Sequence, residues 1–246
     1  MFPNSNRYCG LIMSIQSIAH FSKSIGSIKK GYRKVKFTEE QKGFLREYKS
    51  YTNYSETKPI SWGVKKAIDV AAGVLGSILT APVMLFAALA IKAESKGPVI
   101  FKQKRIGKDG KPFNIYKFRT MYDDKANEGY NVTGKSDARV TKVGKVLRKF
   151  SIDEFPQFYN ILKGDMSLIG PRPVPMYEHI NANGCPEFVG RYAVKPGAKL
   201  VYGNKIFTDP QSRIDAEKDY IKNWNLKKDI KAFYYIVRDI VMGKNY

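Results

Sequence analysis

The hydropathy pattern is dominated by one run of 22 residues, 70–91, that contains no charged side chain. As a single helix this run is about 33 Å long, enough to cross a hydrocarbon core of about 30 Å. A helix on the surface of a soluble domain keeps a polar face, and this one has none, so it is read as membrane-inserted. Pro82, near its middle, lacks a backbone donor and sets its ring against the carbonyl four residues back. The two halves, 70–81 and 83–91, are each about 14–18 Å long and neither spans alone. A kink at Pro82 would turn the chain back to the side it came from. Membrane helices tolerate proline, so a kinked crossing is the competing reading. Lys58, Lys65 and Lys66 precede the run and Lys92, Lys96 and Lys102 follow it. The flanks alone leave re-entrance and crossing even, and they place the chain beyond the run in the cytoplasm.

Beyond the apolar run the periodicity changes. Val99–Ile106 and Phe113–Arg119 read as strands joined through Gly107–Pro112, a β-hairpin. Lys117 and Arg119, two apart, then share one face. Residues 123–139 read as a polar, mobile loop. Helical spacing resumes near Val140, and Ser151 opens a further helix. Ile230, Phe233, Val237, Ile240 and Val241 repeat at helical spacing within 226–242, an amphipathic helix that packs on the core or lies in the membrane interface. Before the run, residues 1–60 are polar and Ser/Lys-rich. Their one apolar patch, Leu11–Ile15, is followed by no cleavage site, which argues against a secretory signal. The run Lys29–Lys36 is a solvated basic stretch or an attractor of anionic headgroups. The expected organisation is a basic N-terminal extension (1–60), a membrane helix hairpin (61–95) and a cytoplasmic domain (96–246).

Charge sharpens this picture. The 246 residues carry 43 Lys+Arg against 22 Asp+Glu, a formal charge of +21. Residues 61–150 hold 18 basic and 7 acidic side chains, whereas 151–246 hold 14 and 11, so the middle is electropositive and the acids gather late. Such a chain meets something anionic: lipid, phosphorylated substrate or nucleic acid. No helix-turn-helix, RNP or zinc pattern accompanies the charge, which argues against nucleic acid. Two cysteines, Cys9 and Cys185, and two histidines, His20 and His179, rule out a disulfide framework and a histidine cluster. Carboxylates and Lys/Arg are left to do the chemistry.

Ser151-Ile152-Asp153-Glu154 fits a capping box, with Ser at the N-cap and Glu at the third helical position. The same two acids, kept ionised at a helix start, could serve as nucleophile or hold Mg2+, which favours carboxylate plus phosphate oxygens. Further on, Gly170-Pro171-Arg172-Pro173 sets an arginine between two prolines. That is either a plain turn or a rigidly presented guanidinium suited to phosphate.

The order of these pieces resembles a known family. Lys96-Gly97-Pro98-Val99-Ile100-Phe101, Arg105-Ile106-Gly107, Tyr116-Lys117-Phe118-Arg119-Thr120-Met121, Leu147-Arg148, Asp153-Glu154-Phe155-Pro156-Gln157, Asn160 to Ser167 and Gly170-Pro171-Arg172-Pro173 are similar to motifs of the bacterial sugar transferases that act on polyprenyl phosphate, the monotopic phosphoglycosyl transferases. The likeness covers about residues 61–242. It implies an α+β monotopic membrane protein with a re-entrant helix hairpin kinked at Pro82, a small β-hairpin region and surrounding amphipathic helices. It also implies transfer of a sugar 1-phosphate from a nucleotide diphosphate sugar, usually a UDP-sugar, to undecaprenyl phosphate with release of UMP, as a membrane step of surface polysaccharide assembly. Asp153 would form the covalent phosphosugar intermediate, with Glu154 assisting the metal or the proton and Mg2+ required. Lys117, Arg119, Arg148 and Arg172 match basic positions and would cradle phosphates. The implied location is the bacterial inner membrane with the catalytic part facing the cytoplasm, on anionic lipid. Self-association stays open. The chain departs from the family at Ala81, where many members carry Ser before the proline; the hydroxyl of Thr80 is a candidate to satisfy a carbonyl freed there. It departs again over Ala198–Lys205, where a family Arg is missing and Lys205 or Arg213 is the candidate replacement. A membrane-anchored basic binding protein without catalysis is the reading from another class.

Overall fold

The computed structural model describes residues 37–122, 137–175, 186–200 and 210–241. The Leu11–Ile15 patch, the basic run Lys29–Lys36, both cysteines, both histidines, Lys205 and most of the 123–139 loop lie outside the described residues. Within them, helices α1 (Glu39–Tyr51), α2 (Tyr54–Thr57) and α3 (Pro59–Glu94) lead to strands β1 (Ile100–Ile106) and β2 (Pro112–Phe118). Helices α4 (Lys142–Lys149) and α5 (Gln157–Leu162) follow, then strands β3 (Ser167–Gly170), β4 (Val174–Pro175) and β5 (Gly197–Leu200). Helices α6 (Pro210–Lys222) and α7 (Leu226–Val241) close the described chain. The mixed α+β class with one long apolar helix agrees with the expectation.

Pro59 at the first turn opens α3, where a missing donor is harmless, and the helix continues for 36 residues. Pro82 lies inside this one helical element and does not divide it into two. Thr80 does not reach the carbonyl of Ile78 that the proline leaves without its usual donor. Its hydroxyl donates to Gly76 O at 2.6 Å, and Ser77 donates to Gly73 O at 2.7 Å, so both hydroxyls are satisfied along their own helix. Only 11% of the most apolar 18-residue window is buried, and Leu75, Ile78, Leu79, Leu85, Phe86 and Leu89 all stand exposed. Where α3 meets α5 its contact face is made by glycine: a Cβ at Gly73 would lie 2.9 Å from the Leu162 side chain, and one at Gly76 2.5 Å from the Phe158 ring. α5 lies in the flat strip those glycines leave.

The hairpin forms as its alternation predicts, antiparallel with Ile100 opposite Phe118 and Ile106 opposite Pro112. Asp109 and Gly110 turn the chain through left-handed conformations, φ 59° and 72°. β4 pairs with β1, while β3 and β5 form a separate parallel pair. Asn160, fully buried, covers the outer edge of β2: its Oδ1 accepts from Tyr116 N at 3.1 Å and its Nδ2 donates to Asn114 O at 2.7 Å.

Residues 37–58, expected to belong to a polar extension, pack into the core. Thr38 and Gln41 make a reciprocal capping box at the start of α1. Leu45, Tyr48 and Tyr54 join Val189, Tyr192, Ile221 and Trp224 in one buried cluster. Lys49 pairs with Asp109 of the hairpin turn at 2.6 Å. α7 is amphipathic as expected and uses both sides: Asp229 and Ala232 are buried, while Ile230, Phe233 and Tyr234 face outward.

Candidate active site

Asp153 and Glu154 sit between α4 and α5 on a single 3-10 turn, Ile152–Glu154. The capping box expected here does not form. Ser151 adopts φ 54°, in the left-handed region, and makes no side-chain cap. An N-cap residue needs extended backbone, whereas here the chain turns through a left-handed residue just after α4 ends at Lys149. The freed Glu154 carboxylate turns to β2, where Lys117 Nζ donates to its Oε1 at 2.9 Å.

The turn is fastened on both sides to the long apolar helix α3. Ile152 packs against the cluster of Ala87, Ile91, Phe118 and Leu147, reached after Pro82. Phe158, four residues past Glu154, fills the notch at Gly76, before Pro82. The acidic pair is therefore held along the second half of α3, between Gly76 and Ile91.

α4 brings Arg148 to the same region. Its Nε donates to Thr120 Oγ1 at 2.9 Å. The helix reaches this depth because residue 144 is glycine: a Cβ there would lie 2.2 Å from the Thr120 carbonyl oxygen. The start of α4 is capped twice. Thr141 Oγ1 accepts from Gly144 N at 2.8 Å, and Glu94 at the end of α3 accepts from Lys142 N and Val143 N at 2.7 and 2.9 Å. Asp137 is held down to about 2 by hydrogen bonds from Arg139, with the nearby charge of Arg148 adding to the effect.

Arg119 is placed elsewhere than its neighbour Lys117. It is 6% exposed and donates to the carbonyls of Lys96 and Ser95, both at 2.8 Å, and to Ser95 Oγ at 2.9 Å. It fastens the turn after α3 to the end of the hairpin. Arg172 is exposed on a stiff backbone: Pro171 O accepts from Gly197 N at 2.9 Å, and Pro173 O accepts from Arg105 at 2.8 Å. It lines a shallow concavity with Gly107, Arg191, Tyr192 and Pro196, a lining that includes neither acid nor Lys117 nor Arg148. The structure thus joins Lys117, Glu154, Asp153 and Arg148 along adjacent segments, uses Arg119 as a latch, and sets Arg172 at a second concavity. Among the described residues no three His, Cys, Asp or Glu converge in a metal cage, so a metal here would rest on the acidic pair.

Family membership follows from sequence comparison. A family model described as bacterial sugar transferase matches residues 60–243. The chain belongs to this family. It is 42% identical over 196 residues to an Aeromonas hydrophila protein named UDP-N-acetylgalactosamine-undecaprenyl-phosphate N-acetylgalactosaminephosphotransferase, a match covering 75% of this chain and 45% of that protein. It is 40% identical over 189 residues to the UDP-glucose:undecaprenyl-phosphate glucose-1-phosphate transferase of Caulobacter vibrioides, covering 74% and 71%. It is 33% identical to the exopolysaccharide production protein PSS of Rhizobium leguminosarum, covering 74% and 98%. The chain therefore spans less than half of the Aeromonas protein and most of the other two.

In this family member, Arg191 is a further lining residue that the sequence pattern does not single out. It is buried against Glu217, to which Nε donates at 2.8 Å, and lies over the Phe188 ring at 4.4 Å. Its partner is 26 residues away in sequence, so no local spacing announces the pair. Lys65 and Asp69 are also missed by sequence pattern; with Lys66 they are the last charges before the apolar run.

Proposed function

We propose that this chain moves a sugar 1-phosphate from a nucleotide diphosphate sugar, of the UDP-sugar class, to undecaprenyl phosphate with release of UMP, in surface polysaccharide or glycoconjugate assembly. The observation that carries this reading is the acidic turn, held between Ile152 and Phe158 along the second half of an apolar, exposed helix, with Ile152 within about one turn of its charged end at Lys92. It brings carboxylates toward the end of that helix, where a lipid phosphate headgroup would approach. The names of the relatives supply the substrate class.

In the proposed reaction an Asp153 carboxylate oxygen attacks the sugar-linked phosphorus. The bond from that phosphorus to the bridging oxygen breaks, and UMP leaves with the electron pair. A phosphate oxygen of the lipid then attacks the same phosphorus and releases Asp153 as carboxylate. Attack by an anion on a diphosphate needs positive charge at hand, which Arg148 and Lys117 are proposed to supply beside the acidic pair, while Arg172 is proposed to hold phosphate from its own concavity. Two adjacent carboxylates fit Mg2+, which takes one or two protein carboxylates and completes its shell with phosphate and water. Asp153 and Glu154 would hold it, and the ion would neutralise diphosphate charge.

The membrane seat is proposed as re-entrant, on the cytoplasmic face of the bacterial inner membrane. Both ends of α3 bind one folded unit: Lys65 pairs with Asp229 near its start, and Glu94 caps α4 at its end. A spanning helix would put those ends on opposite sides of the bilayer. The outer face of α4 supports the same seat, with Val146 and Phe150 exposed among the exposed Lys142, Lys145 and Lys149, a pattern suited to anionic headgroups.

The test is UMP release from a panel of UDP-sugars with undecaprenyl phosphate, in wild type and Asp153→Asn. Turnover in the wild type, lost in a folded Asp153→Asn, is expected. Near-wild-type turnover in that variant would overturn the nucleophile. No turnover with any donor would favour a non-catalytic anchor.

A further inference from the structure

The start of α3 and strand β3 are joined by contacts that the transfer reaction does not require. Lys65 and Asp69 stand one helical turn apart, and both reach the strand. Asp69 Oδ1 accepts from Leu168 N and from Ser167 Oγ, each at 2.9 Å. Lys65 Nζ donates to Ile169 O at 3.2 Å. The other edge of β3 pairs with β5. Asp69 of the membrane helix thus takes a hydrogen-bonding position on β3 that a neighbouring strand would fill, and Lys65 adds a bond to a carbonyl of the same strand.

This junction is buried and stiff. Lys65 is 8% exposed, and Asp229 of α7 pairs with it at 2.8 Å. Tyr220 and Trp224 donate to the same carboxylate at 2.8 and 3.1 Å. A buried ion pair with its remaining valences satisfied resists displacement, because moving either partner strands the other.

β3 runs straight into Gly170-Pro171-Arg172-Pro173. Gly170 lies so near β5 that a Cβ there would be 2.7 Å from Gly197 N, and two prolines remove φ freedom on either side of Arg172. A shift of β3 has little slack to be absorbed before it reaches Arg172.

We propose that Lys65 and Asp69 are positioning residues for Arg172: they make the seat of the membrane helix and the placement of that guanidinium one mechanical unit. The inference rests on the proposed function in taking Arg172 as a phosphate-binding group, and its first test does not. Hydrogen exchange is measured by mass spectrometry on the full chain in lipid nanodiscs, with Asp69→Ala and Asp69→Asn. In Asp69→Ala, exchange is expected to quicken at the Leu168 amide and also at that of Gly197, which donates to Pro171 O beside Arg172 and which Asp69 does not contact in the bonds above. Asp69→Asn keeps an acceptor oxygen and is expected to behave as wild type. A change confined to Leu168 would overturn the coupling.

The second test is a double-mutant cycle on kcat/KM for UMP release. Asp69→Ala is expected to lower it about tenfold with Arg172 present and less than about twofold in Arg172→Ala, because residues acting as one unit are not additive. Equal losses in both backgrounds would overturn the proposal. If Asp69→Ala fails to fold, Ser167→Ala removes one of the two bonds and goes through both measurements. Loss of all wild-type turnover would count against the transfer reading and leave the exchange result to decide the coupling.

Discussion

Gly144→Ala tests how the candidate site is assembled. The added methyl would meet Thr120 O at 2.2 Å, Thr120 C at 2.8 Å and Thr120 Cα at 2.9 Å. All three are backbone atoms and cannot swing aside. Ordinary contact requires α4 and Thr120 to part by about 1 Å. That separation strains the Thr141 N to Thr120 O bond at 3.1 Å and the Arg148 Nε to Thr120 Oγ1 bond at 2.9 Å. Overpacking costs about 1–3 kcal/mol, and weakening a bond from a charged donor adds about 1.5 kcal/mol. Against this, alanine in a helix interior gains about 1 kcal/mol over glycine. The net expectation is a loss of about 1.5–3.5 kcal/mol, or about 3–14 °C in Tm at about 2–4 °C per kcal/mol. Gly43→Ala is the matched control, since nothing lies within 4 Å of a Cβ on that helix position. It should gain up to about 1 kcal/mol from propensity alone. Thermal unfolding of both variants in the same detergent decides the matter. If Gly144→Ala is as stable as wild type, or if both variants shift alike, the close approach that seats Arg148 is refuted.

Arg119→Ala should lower stability by about 2–4 kcal/mol, because a buried guanidinium that serves three acceptors is lost. Unchanged thermal unfolding would contradict its role as a latch. Removing Mg2+ with a chelator should abolish UMP release, and restoring it should recover release without altering the fold by circular dichroism; activity that persists in the chelator would contradict the proposed metal requirement. Tyr48→Ala should cost about 3–5 kcal/mol although it lies before the family match, because the ring is 1% exposed and lies against Gly190. A change within about 0.5 kcal/mol would mean that α1 is not part of the core.

Much of this was legible in the chain because its signals are local. A charge-free run, an alternating hairpin around Gly107–Pro112 and an acidic pair before a Phe-Pro step each declare themselves within a few residues. What stayed hidden depends on distant partners. Residues 37–58 look merely polar until Tyr48 meets Gly190 and Tyr54 meets Trp224. Alternation puts Lys117 and Arg119 on one face, but β2 ends at Phe118, and Arg119 turns back to Ser95 instead. Ser151 to Glu154 has the letters of a capping box, while the tight exit from α4 imposes a left-handed residue that forbids one. Lys65 and Asp69 have the spacing of an intrahelical pair, yet both reach the polar groups of β3.

The central claim is that Asp153 becomes covalently linked to the phosphosugar. The most direct measurement incubates the chain with UDP-sugar and Mg2+ without lipid acceptor, then examines the peptide that contains Asp153 by mass spectrometry. A mass increase of one sugar phosphate on Asp153, with matching UMP release and discharge on adding undecaprenyl phosphate, is the predicted result. An unmodified Asp153 in enzyme that turns over, with UMP appearing only when acceptor is present, would contradict it.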